Sequence, residues 1–209
     1  MTAESAASSS PTPGGPVERP VPLVNIANVL TVSRLAMVPV FLVTLLWGDG
    51  HELLWRWLAT AVFLIASITD RVDGDLARKR GLVTDFGKIA DPIADKALTG
   101  SALIGLSLLG DLSWWATSII IARELFVTIL RFWVIRHGVI PASRGGKLKT
   151  LLQAIAIGLY LMPLGALGAP VAWTVMAAAV LVTVLTGLDY VVRAVRLRAA
   201  GEQAAEQRP

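Results

Sequence analysis

The chain has 209 residues, 55% hydrophobic and 16% charged, with a mean hydropathy of +0.65. Soluble chains carry about 25% charged residues, so this composition excludes an ordinary water-soluble globule. The apolar residues come in long blocks, which indicates an all-α polytopic membrane protein. The net charge of +4 suits basic loops at a cytoplasmic membrane surface and gives no reason to expect nucleic-acid binding. With no cysteine, a disulfide framework, a thiolate nucleophile and a zinc–cysteine site are all excluded.

Residues 1–24 are rich in Ser, Pro and Gly and read as a disordered N-terminal tail. The following apolar run is too long, and too far from the start, for a signal-peptide core, so it reads as a retained span. A six-helix membrane domain occupies 25–198, and 199–209 is expected to be a short C-terminal tail. The six spans are expected at about 26–47, 56–69 (continuing as polar helix to 80), 89–110, 113–136, 150–167 and 171–192. Arg78, Lys79, Arg80 and Lys88 lie between spans two and three, and Arg136, Arg144, Lys147 and Lys149 between four and five. The opposite connections, 48–55, 110–113 and 165–170, contain no Lys or Arg, with Arg56 just beyond the first. The inside-positive bias therefore places both termini in the cytoplasm. Trp47, Trp55, Trp57, Trp114, Trp115 and Trp173 fall near the outer ends, as an interfacial aromatic belt requires.

The chemistry concentrates in residues 67–96. Asp70 and Asp73 are three apart, with Ala77 four further on, so all three share one helical face. Asp91 and Asp95 are four apart, and Gly87 lies one turn earlier on the same face. Carboxylates beside lipid are costly unless they meet cations, hydrogen bonds or water. Four facing one another favour a pair of hard divalent ions, Mg²⁺ or Mn²⁺, because all the ligands are oxygen. Gly74 and Ala77 keep bulky side chains off this wall, which admits a flat or extended ligand. The plainer alternative is a charged cytoplasmic loop in which the aspartates pair with Arg78, Lys79 and Arg80.

Asp70, Asp73, Gly74, Ala77, Arg78, Gly87, Asp91 and Asp95 match the pattern D-x2-D-G-x2-A-R-x8-G-x3-D-x3-D at every position. This resembles the signature of the CDP-alcohol phosphotransferase family. The flanking segments NIANVLTVSR (with Asn25, Asn28, Thr31 and Arg34), KIADPIADK and GKLKTLLQ look most like bacterial members that use sn-glycerol 3-phosphate as acceptor. The resemblance implies a six-helix enzyme of the bacterial inner (plasma) membrane, usually a homodimer, with its site open to the cytoplasm. The implied reaction joins CDP-diacylglycerol and glycerol 3-phosphate into phosphatidylglycerol phosphate and releases CMP. On this likeness Asp70, Asp73 and Asp91 hold one divalent ion, and Asp70, Asp91 and Asp95 the second. Asp95 is also the general base. Asp73, Gly74, Ala77, Arg78 and Gly87 line the CDP-lipid site.

A doubly charged acceptor phosphate needs cations of its own. The candidates are Arg34, Arg123, Arg131, Arg144, Lys147 and Lys149, with Arg123 notable for sitting in the middle of span four beside Glu124. Arg123 reads either as part of the acceptor pocket or as a structural pair within the bundle. The histidines, His51 and His137, read as surface residues. Other acceptors, namely inositol phosphate, serine or phosphatidylglycerol, stay open because the shared motif reads the donor. A divalent-cation transporter would instead require acids near the bilayer midplane, where the sequence has no comparable cluster.

Overall fold

A computed structural model describes the backbone of residues 26–80, 85–134 and 144–206, and the side chains of 28–69, 90, 93–131, 133–134 and 145–199. Within them the chain is all-helical: α1 (Ile26–Leu46), α2 (Leu53–Arg80), α3 (Asp85–Leu108), α4 (Trp114–Val134), α5 (Arg144–Leu161) and α6 (Gly165–Glu206). No strand occurs among the described residues. Helix α1 packs along both α2 and α3, while α6 packs along α4 and α5. Contacts of α5 with α2 and α3 join the two halves. The core is built from Phe41 and Leu45 of α1, Phe63 of α2, Leu103 and Leu106 of α3, Ile120 of α4, Ile157 and Leu161 of α5, and Met176 of α6. Small residues at Ala59, Ala66, Ala102, Ala156 and Ala179 let the helices approach closely.

The outer surface is apolar and part of the interior is charged. Val29, Val40, Ile65, Leu108, Phe126, Ile129, Leu181 and Leu188 are exposed, whereas Asn28, Thr31, Arg34, Arg56, Lys149, Gln153 and Thr183 are buried. Water would reverse that arrangement. Two stretches, Asn28–Gly50 and Gly165–Ala199, are long and apolar enough to cross a membrane, and Leu53–Thr69 is a shorter apolar helix.

Several boundaries differ from the sequence expectation. Helix α5 stops at Leu161 because Pro163 disfavours helical geometry in the residue before it, so the turn falls at 162–164. The segment 165–170, expected as a connection, forms the first turns of α6. At the other end α5 begins at Arg144, not near 150. Gly145 and Gly146 suggest a loop, yet they fall in a first turn, where backbone N–H groups have no helical partner to lose. The segment expected as a C-terminal tail is helical as far as Glu206, an Ala-, Glu- and Gln-rich run of high helix propensity.

The end remote from the acidic segment is closed by a polar clasp. Arg56, in the first turn of α2, is 7% exposed. Its guanidinium meets Asp111 Oδ2 at 2.7 Å. It also donates to the carbonyls of Tyr160 at 2.8 Å and Gly50 at 3.3 Å. His51 reaches the other Asp111 oxygen at 3.3 Å. Asp111 is set by the end of α3, where Gly110 at φ 77° allows a Schellman turn, with the Asp111 N–H donating to Leu106 O and the Gly110 N–H to Ser107 O. Gly50 has φ 74°, and a Cβ there would lie 2.4 Å from Leu109 Cδ2.

Candidate active site

The acidic motif is carried by two helices. Asp70, Asp73, Gly74, Ala77 and Arg78 lie on the last turns of α2, and Gly87, Asp91 and Asp95 on the first turns of α3. Of these, the Asp95 side chain is described and the other seven fall outside the described side chains. Among the described residues no group of three or more potential metal ligands occurs.

Asp95 opens onto a cavity of about 380 Å³ lined by residues of α1 to α5. Its charged part comprises Arg34 from α1, Asp95 and Lys96 from α3, Glu124 from α4 and Lys149 from α5. Ser67, Thr99, Ser101, Thr150 and Gln153 add neutral polar groups, and Leu98, Leu103, Ile104, Ile120, Ile121 and Leu125 give the cavity an apolar part. Arg34 and Lys149 are 3% and 6% exposed. Cations so deeply placed need a fixed anion or a ligand. Lys149 has one: its Nζ donates to Glu124 Oε1. Arg123 NH1 donates to the same oxygen at 3.1 Å, and Arg123 NH2 donates to Thr186 Oγ1 of α6 at 3.1 Å. Gly187 lets α6 come close, since a Cβ there would lie 3.1 Å from Arg123 Cγ. Gln153, one turn after Lys149, donates to buried Thr183 at 3.2 Å. Lys96 donates to Thr128 Oγ1, which itself donates to the Glu124 carbonyl.

The acceptor-phosphate candidates are thereby sorted. Arg34 and Lys149 line the cavity with Asp95. Arg123 is outside the lining and stands behind it, tied to α6 and reaching the cavity wall through Glu124. Lys147 is exposed and also outside the lining. Arg144 opens α5, and its side chain lies outside the described residues. Lys96, Glu124 and Gln153 belong to the cavity although the sequence reading gave them no role there. A signal for them was present: Lys96 adjoins Asp95, Glu124 adjoins Arg123, and Gln153 follows Lys149 at helical spacing.

Two neighbouring helices carrying the eight-residue aspartate motif, with one of its acids on a cavity furnished with buried cations, define a helical phosphotransferase acting on an activated phosphate ester. Residues 24–185 match the family model for CDP-alcohol phosphatidyltransferase, and the chain belongs to that family. It is 60% identical over 174 residues to a probable phosphatidylglycerophosphate synthase of Mycobacterium tuberculosis (strain H37Rv), covering 83% of each chain. It is 40% identical over 179 residues to the CDP-diacylglycerol–glycerol-3-phosphate 3-phosphatidyltransferase of Bacillus subtilis, covering 79% of this chain and 93% of the relative. A protein of the same name from Rickettsia prowazekii is 38% identical over 173 residues, covering 79% and 93%. The family resemblance drawn from the motif is borne out.

Proposed function

We propose that this protein transfers the phosphatidyl group of CDP-diacylglycerol to sn-glycerol 3-phosphate, giving phosphatidylglycerol phosphate and CMP. The observation that carries the reading is that Asp95 shares one cavity with buried Arg34 and Lys149. That arrangement sets a proton acceptor beside cations suited to a phosphate. The names of the relatives point to the same donor and acceptor.

The donor set fits hard divalent ions, since every motif ligand is a carboxylate. Asp70, Asp73 and Asp91 would hold one Mg²⁺ or Mn²⁺, and Asp70, Asp91 and Asp95 the second. Divalent ions held there would supply charge neutralisation for the diphosphate and for the departing CMP. Gly74, Ala77, Arg78 and Gly87 accommodate the CDP moiety, with Asp73 near the cytidine or its ribose. Arg34 and Lys149 hold the acceptor phosphate. The Asp95 carboxylate takes the proton of the acceptor's primary hydroxyl as its oxygen bonds to the phosphatidyl phosphorus. The bond from that phosphorus to the CMP oxygen breaks, and CMP leaves with the bonding pair.

The exposed apolar faces support a bilayer setting. In that setting the chain crosses the bacterial plasma membrane six times, with both termini and the aspartates on the cytoplasmic side. Exposed Trp47, Trp57, Trp114, Trp115 and Trp173 lie at the end of α1 or near the starts of α2, α4 and α6, which suits the outer interface. A homodimer is the assembly the family resemblance leads us to expect.

The test is purified protein in nanodiscs with CDP-diacylglycerol, Mg²⁺ and a panel of glycerol 3-phosphate, inositol phosphate, serine and phosphatidylglycerol. The lipid product is identified by mass spectrometry. Phosphatidylglycerol phosphate from the first acceptor alone is expected. A product from another acceptor, with none from glycerol 3-phosphate, would overturn the assignment.

A further inference from the structure

Of the charged cavity lining, the reaction above leaves Lys96 and Glu124 without a part, and Glu124 is the carboxylate of the two. A carboxylate in a pocket for a dianionic phosphate is unfavourable on charge alone, since like charges in a low-dielectric site repel strongly. Here that charge is offset by Arg123 and Lys149, both of which contact Oε1. Both cation contacts go to Oε1, and the side chain keeps 25% exposure while lining the cavity. Glu124 is also held in place. Arg123 anchors it to Thr186 of α6 on one side, and Lys149 of α5 grips it on the other.

We propose that Glu124 is a specificity-determining residue whose carboxylate accepts a hydrogen bond from the acceptor's secondary, non-reacting hydroxyl while Asp95 serves the primary one. This rests on the phosphatidyl-transfer reading. A bound glycerol phosphate brings two hydroxyl donors, and each needs an acceptor once removed from water. Arg34, Lys96 and Lys149 are donors only. Gln153 is almost fully buried against Thr183, and Ser67, Thr99, Ser101 and Thr150 offer uncharged hydroxyls, weaker acceptors than a carboxylate. With Asp95 committed to the reacting hydroxyl, Glu124 is the remaining carboxylate on the cavity wall. Its fixed position is what reading a single hydroxyl requires.

The experiment compares sn-glycerol 3-phosphate with 3-hydroxypropyl phosphate, which keeps the phosphate and primary hydroxyl but lacks the secondary one. The wild type is expected to favour glycerol 3-phosphate by about 10- to 100-fold in kcat/KM, the range of a charge-assisted hydrogen bond. In Glu124→Ala the preference should fall to about 3-fold or less, leaving only uncharged contacts to the hydroxyl. Glu124→Gln, which keeps an amide oxygen and a similar volume, should lie between and serves if the alanine variant fails to fold. The ratio is the readout because loosening Lys149 lowers both acceptors alike, as a merely structural role would. A wild type that does not discriminate, or a folded variant that keeps the wild-type ratio, overturns the proposal. Transfer to neither acceptor by wild-type protein overturns the reaction assignment itself, and the role of Glu124 with it.

Discussion

Replacing Arg56 with Met tests whether the remote end of the bundle is held by the polar clasp. The guanidinium is nearly buried and meets Asp111 at 2.7 Å, with two backbone carbonyls as further acceptors. Met keeps much of the volume but leaves Asp111 without its nearest cation. Breaking a buried pair by removing one partner costs about 3–5 kcal/mol. Asp111 retains 22% exposure, so water recovers part of that, and the lower end, about 3 kcal/mol, is expected. For a chain of this size that lowers the melting midpoint by roughly 6–12 °C. Intrinsic tryptophan fluorescence in detergent or nanodiscs reads it, since Trp47 and Trp55 lie 5.1 Å apart near the clasp. The double variant Arg56→Met/Asp111→Leu removes the stranded charge and should recover a large share of the loss. Phosphatidyl transfer at low temperature should stay near wild type, because the clasp is remote from Asp95. A single variant melting with the wild type, or a double variant no better than the single, would refute the reasoning.

Two further outcomes bear on the site. Lys149→Met should lower kcat/KM for glycerol 3-phosphate by about 10- to 100-fold through loss of a charge-assisted contact, with the KM for CDP-diacylglycerol little changed. Kinetics with each substrate varied in turn separate the two, and an unchanged acceptor KM would remove Lys149 from the phosphate site. Asp91→Asn should abolish divalent-dependent CMP release, because a neutral amide is a poor replacement for a carboxylate proposed to ligate hard cations. Titration with Mg²⁺ checks this, and near-normal turnover at saturation would reject the ligand set.

The local chemistry was legible because it is written in short-range spacing. An i, i+3 or i, i+4 interval fixes which residues share a helical face whatever the helix packs against, so the aspartates of 70–95 could be grouped without a fold. Boundaries were less legible where two local signals competed. Gly145 and Gly146 read as a loop but open α5, and the 165–170 segment reads as a connection although Pro163 had already forced the turn.

The sequence by itself determined the all-helical class, the family and the aspartate motif, since hydrophobic block length and helical periodicity are properties of neighbouring residues. Only the tertiary structure decided which charged residues share a cavity with Asp95. Arg34, Glu124 and Lys149 lie on three different helices, and burial across five helices makes them one cavity. It also gave Arg56, the basic residue at an end otherwise without Lys or Arg in its loops, a half-buried partner in Asp111. The same packing drew Arg123 back against Thr186 and brought Glu124 forward. The two are adjacent in sequence, but successive helical residues point about 100° apart, and only the position of α6 fixes which of them faces the cavity.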